Sequence, residues 1–307
     1  MDDGNYPSYL RLHASGDLAK RASAAYEILS NCTLCPWECG VDRLKDEKGQ
    51  CQIGRFARVY SYSPHFGEEK PISGTKGSGT IFFSGCNLHC VFCQNAEISQ
   101  DLYGMEVTND RLAYMMLELQ TCGCHNINLV SPTHIAPQIL SALLCAVEKG
   151  FNLPLVYNTG GYDTAETLSL LEGIIDIYLP DMKYASAETA QKYSSIPYYT
   201  KYNQSAVKTM HRQVGDLILD QNGIAKRGLL IRHLVMPGDA GGTGRVLQFI
   251  ADNISIDTYV NLMDQYRPDY LTWQYEEINR RLSRSEFQAT VEKARSLSLT
   301  RIDHLII

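Results

Sequence analysis

The sequence predicts an α/β fold, a partial (β/α)6 barrel of the TIM-like kind with a cysteine-rich extension at its N-terminus. Three observations predict it. From Gly79 onward, six short β-rich apolar runs alternate with amphipathic stretches, the pattern of parallel strands joined by helical crossovers. Six units fall short of a standard eight-fold barrel, so the sheet is expected to stay open. Polar residues also gather just past the apolar part of each run, and sites on such barrels sit at the carboxyl ends of the strands.

The elements follow in order. Residues 15–30, SGDLAKRASAAYEILS, carry helix formers with an apolar face, with Ser15 or Asp17 as the expected cap. A cysteine-bearing segment fills 31–56. Gly, Pro and Ser punctuate 61–79, which reads as a loop or short-strand region. The six strands are expected at 80–84, 127–131, 153–158, 174–180, 229–235 and 258–263, with amphipathic stretches such as NDRLAYMMLELQ and APQILSALLCAVEK between most of them. Asn222-Gly223 interrupts the rhythm with a hairpin turn. The expected organisation is an N-terminal helix and metal-binding segment over 1–60, a barrel core over 61–290 and a tail over 291–307.

A chain of 307 residues with 44% apolar and 20% charged residues is an ordinary globular mixture. Its formal net charge of −6 argues against a general nucleic-acid binder, whose footprint is a basic surface. No apolar run reaches the roughly 18 residues that span a bilayer. The acidic, polar start MDDGNYPSYLRLHASGD lacks the charged and apolar regions of a signal peptide. A cytoplasmic protein without membrane contact is therefore expected. Ten cysteines fit that placement, because in a reducing compartment clustered thiols bind metal or do chemistry. Cys122, Cys124 and Cys145 lie in or beside apolar segments and read as plain core or boundary thiols.

SGCNLHCVFCQN, residues 84–95, places Cys86, Cys90 and Cys93 straight after the first apolar strand. Three is an odd number for disulfides, and a structural zinc or an electron-transfer cluster normally takes four protein ligands. Three thiolates from one loop can hold three irons of a [4Fe–4S] cube and leave the fourth open. A three-ligand zinc site is the competing reading. Phe92, just before the third cysteine, is placed to pack beside whatever binds there.

The loop resembles that of the radical S-adenosylmethionine superfamily. The resemblance implies that S-adenosylmethionine chelates the open iron through its amino and carboxylate groups. One electron from the reduced cluster then cleaves the sulfonium to a 5′-deoxyadenosyl radical, which abstracts hydrogen from a substrate. Other strand ends suit that cofactor. Asp181 and Lys183 in LPDMK, two apart, point to one face of an extended strand, where a carboxylate can accept ribose hydroxyls and an ammonium can neutralise a carboxylate. Arg232 offers a planar fork for the methionyl carboxylate. Thr159, Gly160 and Gly161 allow close backbone approach in a tight turn.

YNTGG, LPDMK and RHLVMPG, together with the loop, look like the enzymes that activate pyruvate formate-lyase. CTLCPWECGVDR, GSGTIFFSGC, RQVGDL and VNLMDQYRP make the chain more similar still to iron–sulfur proteins of the activating-enzyme-like type, over roughly residues 30–270. This implies cluster ligation by Cys86, Cys90 and Cys93, and cofactor contacts from Asn158, Thr159, Asp181, Lys183 and Arg232. It further implies an oxidoreductase acting on a protein or peptide, with a one-electron donor such as flavodoxin or ferredoxin as partner. The chain departs from the activases at two places: Asn158 stands where they carry Asp, and Ser131-Pro132-Thr133 where they carry a Gly-Gly-Glu turn. The same chemistry on a small molecule, or a non-enzymatic iron–sulfur or zinc protein, are the alternatives.

Cys32, Cys35, Cys39 and Cys51 supply a second set of four thiols, suited equally to zinc and to an auxiliary [4Fe–4S] cluster. Glu68 and Glu69 are placed to line the mouth of the cluster loop. The tyrosines of IPYYTKYN, residues 196–203, are candidates for stacking on substrate. His134 and His233 read as satisfied rim histidines ahead of acid–base groups.

Overall fold

The computed structural model describes residues 6–303, so 1–5 and 304–307 of the expected terminal segments lie outside the described residues. The strands are β1 (Ala57–His65), β2 (Ser78–Phe83), β3 (Met105–Val107), β4 (Ile127–Val130), β5 (Leu155–Thr159), β6 (Ile177–Pro180), β7 (Ile218–Leu219), β8 (Ala225–Leu234), β9 (Tyr259–Met263) and β10 (Ile302–Asp303). They run β10-β9-β8-β6-β5-β4-β2-β1-β3 across one sheet, with β7 on β8. The six strands expected from the alternation are β2, β4, β5, β6, β8 and β9. They are consecutive neighbours and pair in parallel. The path does not close on itself, so the barrel is partial.

Burial explains the apolar runs. Every residue of β5 and β6 is buried, as strands covered on both faces require. Helices at Asn109–Thr121 and Ala136–Val147 pack on one another, and the N-terminal helix Asp17–Glu27 packs on the second of them. Among the described residues no helix is long and apolar enough to cross a membrane.

Several expectations need correction. Of the loop and short-strand readings of 61–79, the strand holds for its first residues, because β1 runs to His65 and pairs antiparallel with β2. Only Ala57 to Val59 gain a second neighbour, β3, so the outer half lies at an edge with exposed positions. There a proline is tolerated and the alternation signal fades. Residue 60 lies within β1 and residue 290 within the helix Arg284–Ser296, so neither element stops at those positions. The first long helix begins after Gly16, whose φ of 78° is left-handed, and neither Ser15 nor Asp17 caps it. Ser15 instead bonds the Asp17 carboxylate at 3.0 Å. The Asn222-Gly223 hairpin is present, with Gly223 at φ 78° and Asp220 Oδ1 accepting the N–H groups of Asn222 and Ile224.

The cysteine-bearing segment lies over the carboxyl ends of β2, β4 and β5. Trp37 Nε1 donates to the Asn87 carbonyl at 2.8 Å. Buried Arg43 donates to the His134 carbonyl at 2.6 Å, and the Thr167 hydroxyl donates to the Leu34 carbonyl at 2.8 Å.

Candidate functional site

A cavity of about 380 Å³ opens at the carboxyl ends of the parallel strands. Cys86, Cys90 and Cys93 line one side of it, and Asn158, Asp181 and Arg232 are among the residues lining the other. Its size falls in the range of small-molecule sites. Parallel pairing puts these groups together, since each strand ends at the same rim.

The three-cysteine loop is irregular but pinned. His89 and Val91 N–H groups donate to the carbonyls of Ser194 and Tyr193, and Leu271 N–H donates to the Val91 carbonyl. Donors also face the sulfurs. The Ser194 hydroxyl lies 3.0 Å from Cys90 Sγ and the Leu88 N–H 3.4 Å from Cys86 Sγ, while Ser99 Oγ is 3.2 Å from Cys93 Sγ. Burial pushes the Cys86 thiol up to about 12 and the Cys90 thiol up to about 11, so they become thiolates only as a metal displaces the proton. Among the described residues, no three His, Cys, Asp or Glu side chains are gathered closely enough to hold a single metal ion. Three thiols around one cavity, met by N–H and O–H groups, form a donor set that fits an iron–sulfur cluster with three protein ligands.

Opposite the loop lies a charged group. Lys183 Nζ bonds Asp181 Oδ2. Burial works against the ammonium, yet the Asp181 carboxylate holds Lys183 above its ordinary range. Arg232 sits among carboxylates, with Nε 3.3 Å from Glu69 Oε1 and 3.9 Å from Asp181 Oδ1, and Nη1 3.7 Å from Glu68 Oε2. Its Nη1 also donates to Asn158 Oδ1 at 3.2 Å. Burial raises the Glu68 carboxyl above its usual range despite Arg232. Asn261 Nδ2 donates to Glu69 Oε1 at 2.7 Å, whereas Glu69 Oε2 and Arg232 Nε are buried without a hydrogen-bond partner.

The Gly160-Gly161 turn is held from behind. Asp163, buried, accepts hydroxyl hydrogens from Thr133, Tyr157 and Thr159 at 2.8–2.9 Å. Thr159 thus turns its side chain into this network and lines the cavity beside it. Gly161 has φ 74°, and a Cβ there would lie 2.4 Å from the Asp181 carbonyl and 2.2 Å from Asn203 Nδ2. Tyr199, from IPYYTKYN, donates its hydroxyl to the Gly160 and Asp181 carbonyls and accepts from the Lys183 N–H. Its neighbour Tyr198 is exposed.

Not every sequence candidate reaches the cavity. The Phe92 ring is buried against Tyr184 and Tyr266 and does not line the cavity. His134 Nε2 bonds the Ser84 carbonyl, and burial, then Arg43, lowers its pKa to about 3. His233 is satisfied by the Met182 carbonyl and Thr243. Glu68 does line the cavity, as placed, with His65 beside it. Sequence reading missed His65, Asp163 and Asn261. The first lay in the stretch read as loop or short strand, while the others act through partners distant in sequence.

Cys32, Cys35 and Cys51 are buried and Cys39 is half-buried, all as free thiols. They lie in the segment over the same rim and do not line the cavity.

No family model matches the chain. It is 34% identical over 291 residues to the uncharacterised protein MJ0674 of Methanocaldococcus jannaschii, covering 92% of this chain and 79% of that one. Among solved structures it is similar to a domain of pyruvate-formate lyase-activating enzyme from Bacteroides vulgatus, at 10% identity and TM-score 0.37 over 64% of this chain and 91% of that one. It is also similar to SuiB of Streptococcus suis bound to S-adenosylmethionine, at 10% identity and TM-score 0.49. That match covers 72% of this chain and 47% of SuiB. The [FeFe]-hydrogenase maturase HydG matches at 11% identity and TM-score 0.49, over 71% of this chain and 48% of that one.

Proposed function

The chain belongs to the family of the uncharacterised Methanocaldococcus protein, and on that premise we propose that it is a radical S-adenosylmethionine enzyme that takes a hydrogen atom from its substrate. The observation that carries the reading is the single cavity shared by Cys86, Cys90 and Cys93 and by the polar ends of β5, β6 and β8. When bound, a reduced [4Fe–4S] cluster supplies the electron that cleaves the sulfonium, and the nucleoside fragment released takes the hydrogen. The chain's own residues do the rest. The three cysteines would hold three irons. Asp181 offers a carboxylate to ribose hydroxyls. Lys183 and Arg232, each already beside an acid, would supply the positive charge for a cofactor carboxylate. An electron carrier has no use for that polar group.

The substrate reading favoured by the loop, LPDMK and RHLVMPG is a protein or peptide, with a glycyl-radical enzyme as the finer case. A small molecule is the second reading, since the stretch from His65 to Glu69, which leaves β1 level with Ser78 and so at the amino end of β2, closes the cavity from below and seats Glu68 and Glu69 beside Arg232. Protein reconstituted without oxygen, then given dithionite and S-adenosylmethionine, is expected to release 5′-deoxyadenosine, and Cys90→Ala is expected to abolish it. No product from wild type with its cluster intact defeats the proposal. Incubation with the macromolecular or the small-molecule fraction of cells grown on deuterated medium separates the substrate classes, because deuterium enters 5′-deoxyadenosine only from the fraction holding the substrate.

A further inference from the structure

We propose that Cys32, Cys35, Cys39 and Cys51 bind a second [4Fe–4S] cluster, which passes single electrons to the cluster held by Cys86, Cys90 and Cys93. The relay rests on the function proposed above, whereas the second cluster does not.

The four thiols are brought together by local structure. Cys32 N–H donates to the Val41 carbonyl and Gly40 N–H to the Cys32 carbonyl, which sets Cys32 beside the Cys39 end of the loop. Gln50 N–H points at Cys39 Sγ at 3.5 Å, and a Cβ on Gly49 would lie 2.6 Å from that sulfur. Only glycine admits Cys39 there, two residues before Cys51. Arg43, 1% exposed, brings Nη1 to 3.8 Å from Cys32 Sγ, and its Nη2 has no partner. A buried guanidinium with an unused donor beside Cys32 suits a group of net negative charge.

Contact with the first set favours a redox centre over zinc, which carries no electrons. The two segments touch. Gly85, with φ 77°, precedes Cys86, and a Cβ there would lie 2.6 Å from the Cys51 carbonyl oxygen. Trp37, two residues after Cys35, bonds the Asn87 carbonyl and packs on His89 with ring centroids 6.3 Å apart. Both contacts fall within the three-cysteine loop or the residue preceding its first ligand.

The electron balance is simple. An external one-electron donor is oxidised by one electron and the second cluster is reduced by it. That electron then reduces the first cluster and restores the second, with no bond broken and no proton moved. Cys39, the partly exposed thiol of the set, gives the donor an approach.

Cys86→Ala/Cys90→Ala/Cys93→Ala, reconstituted without oxygen, is expected to retain about four irons and four sulfides per chain, against about eight of each in wild type. Stoichiometric zinc in place of iron, or neither metal, overturns the proposal. Should that variant not fold, the wild-type count decides: about eight irons supports it and about four overturns it. Cys35→Ala/Cys39→Ala keeps the first cluster. Its reduction by reduced flavodoxin, followed by loss of visible absorbance, is expected to slow at least about tenfold, and an unchanged rate overturns the relay. Failure of the function reading shows elsewhere, as a first cluster whose spectrum ignores S-adenosylmethionine while the iron count stands.

Discussion

Arg232→Met removes the cation at the centre of the acidic group. Side chains of Glu69 and Glu68 are 2% and 8% exposed, and Arg232 is the cation beside both. Breaking a buried pair from one side leaves the partner charge uncompensated, at a cost of about 3–5 kcal/mol. At about 2–4 °C per kcal/mol, that lowers Tm by about 6–20 °C at pH 7. The pH dependence has a fixed sign. Burial already holds the Glu68 carboxyl above its usual range, and loss of Arg232 raises it further. A folded state that binds protons more tightly than the unfolded chain gains stability as pH falls, so the deficit is largest near pH 8 and shrinks toward about pH 5. Glu69→Gln in the same chain removes one stranded charge, and a coupling of about 1–3 kcal/mol is expected between the two substitutions. The assay is urea and thermal unfolding of the four proteins of the cycle at three pH values. A variant that unfolds with wild type at every pH, or whose deficit grows in acid, refutes the reasoning.

Other expectations follow from the same geometry. Gly161→Ala combines a left-handed backbone with contact on a carbonyl, so unfolding should show a loss of about 2–4 kcal/mol together with weaker S-adenosylmethionine binding. Tyr199→Phe deletes the hydroxyl joining Gly160, Asp181 and Lys183 and should cost about 1–3 kcal/mol by denaturant titration, whereas Tyr198→Phe should leave the midpoint within about 0.5 kcal/mol. Ser194→Ala removes the hydroxyl facing Cys90 Sγ. A redox titration of the cluster is then expected to give a more negative midpoint than wild type, since hydrogen bonds to cluster sulfurs set its potential.

Much of the architecture was legible because buried parallel strands write themselves as apolar runs. INLVS and IIDIYLP differ from the observed β4 and β6 only at their ends. β1 was legible only as loop or short strand past Tyr60 and not at all before it, since an edge strand with exposed positions and a proline carries little alternation. The rim residues were legible as a set because parallel pairing brings every strand's carboxyl end to one side. Their partners were not. Nothing in the sequence says that Arg232 faces Glu69, or that Asp163 gathers the hydroxyls of Thr133, Tyr157 and Thr159. Phe92 shows the limit of spacing, since its position between two ligands does not say which way its ring turns.

The most direct test is the electron paramagnetic resonance spectrum of the dithionite-reduced protein, recorded with and without S-adenosylmethionine. An iron corner open to the cavity is expected to take the amino acid end of the cofactor, so the cluster signal should change in shape, and Cys90→Ala should lose it. A full, reducible cluster whose signal is the same with and without S-adenosylmethionine contradicts the open corner and the chemistry drawn from it.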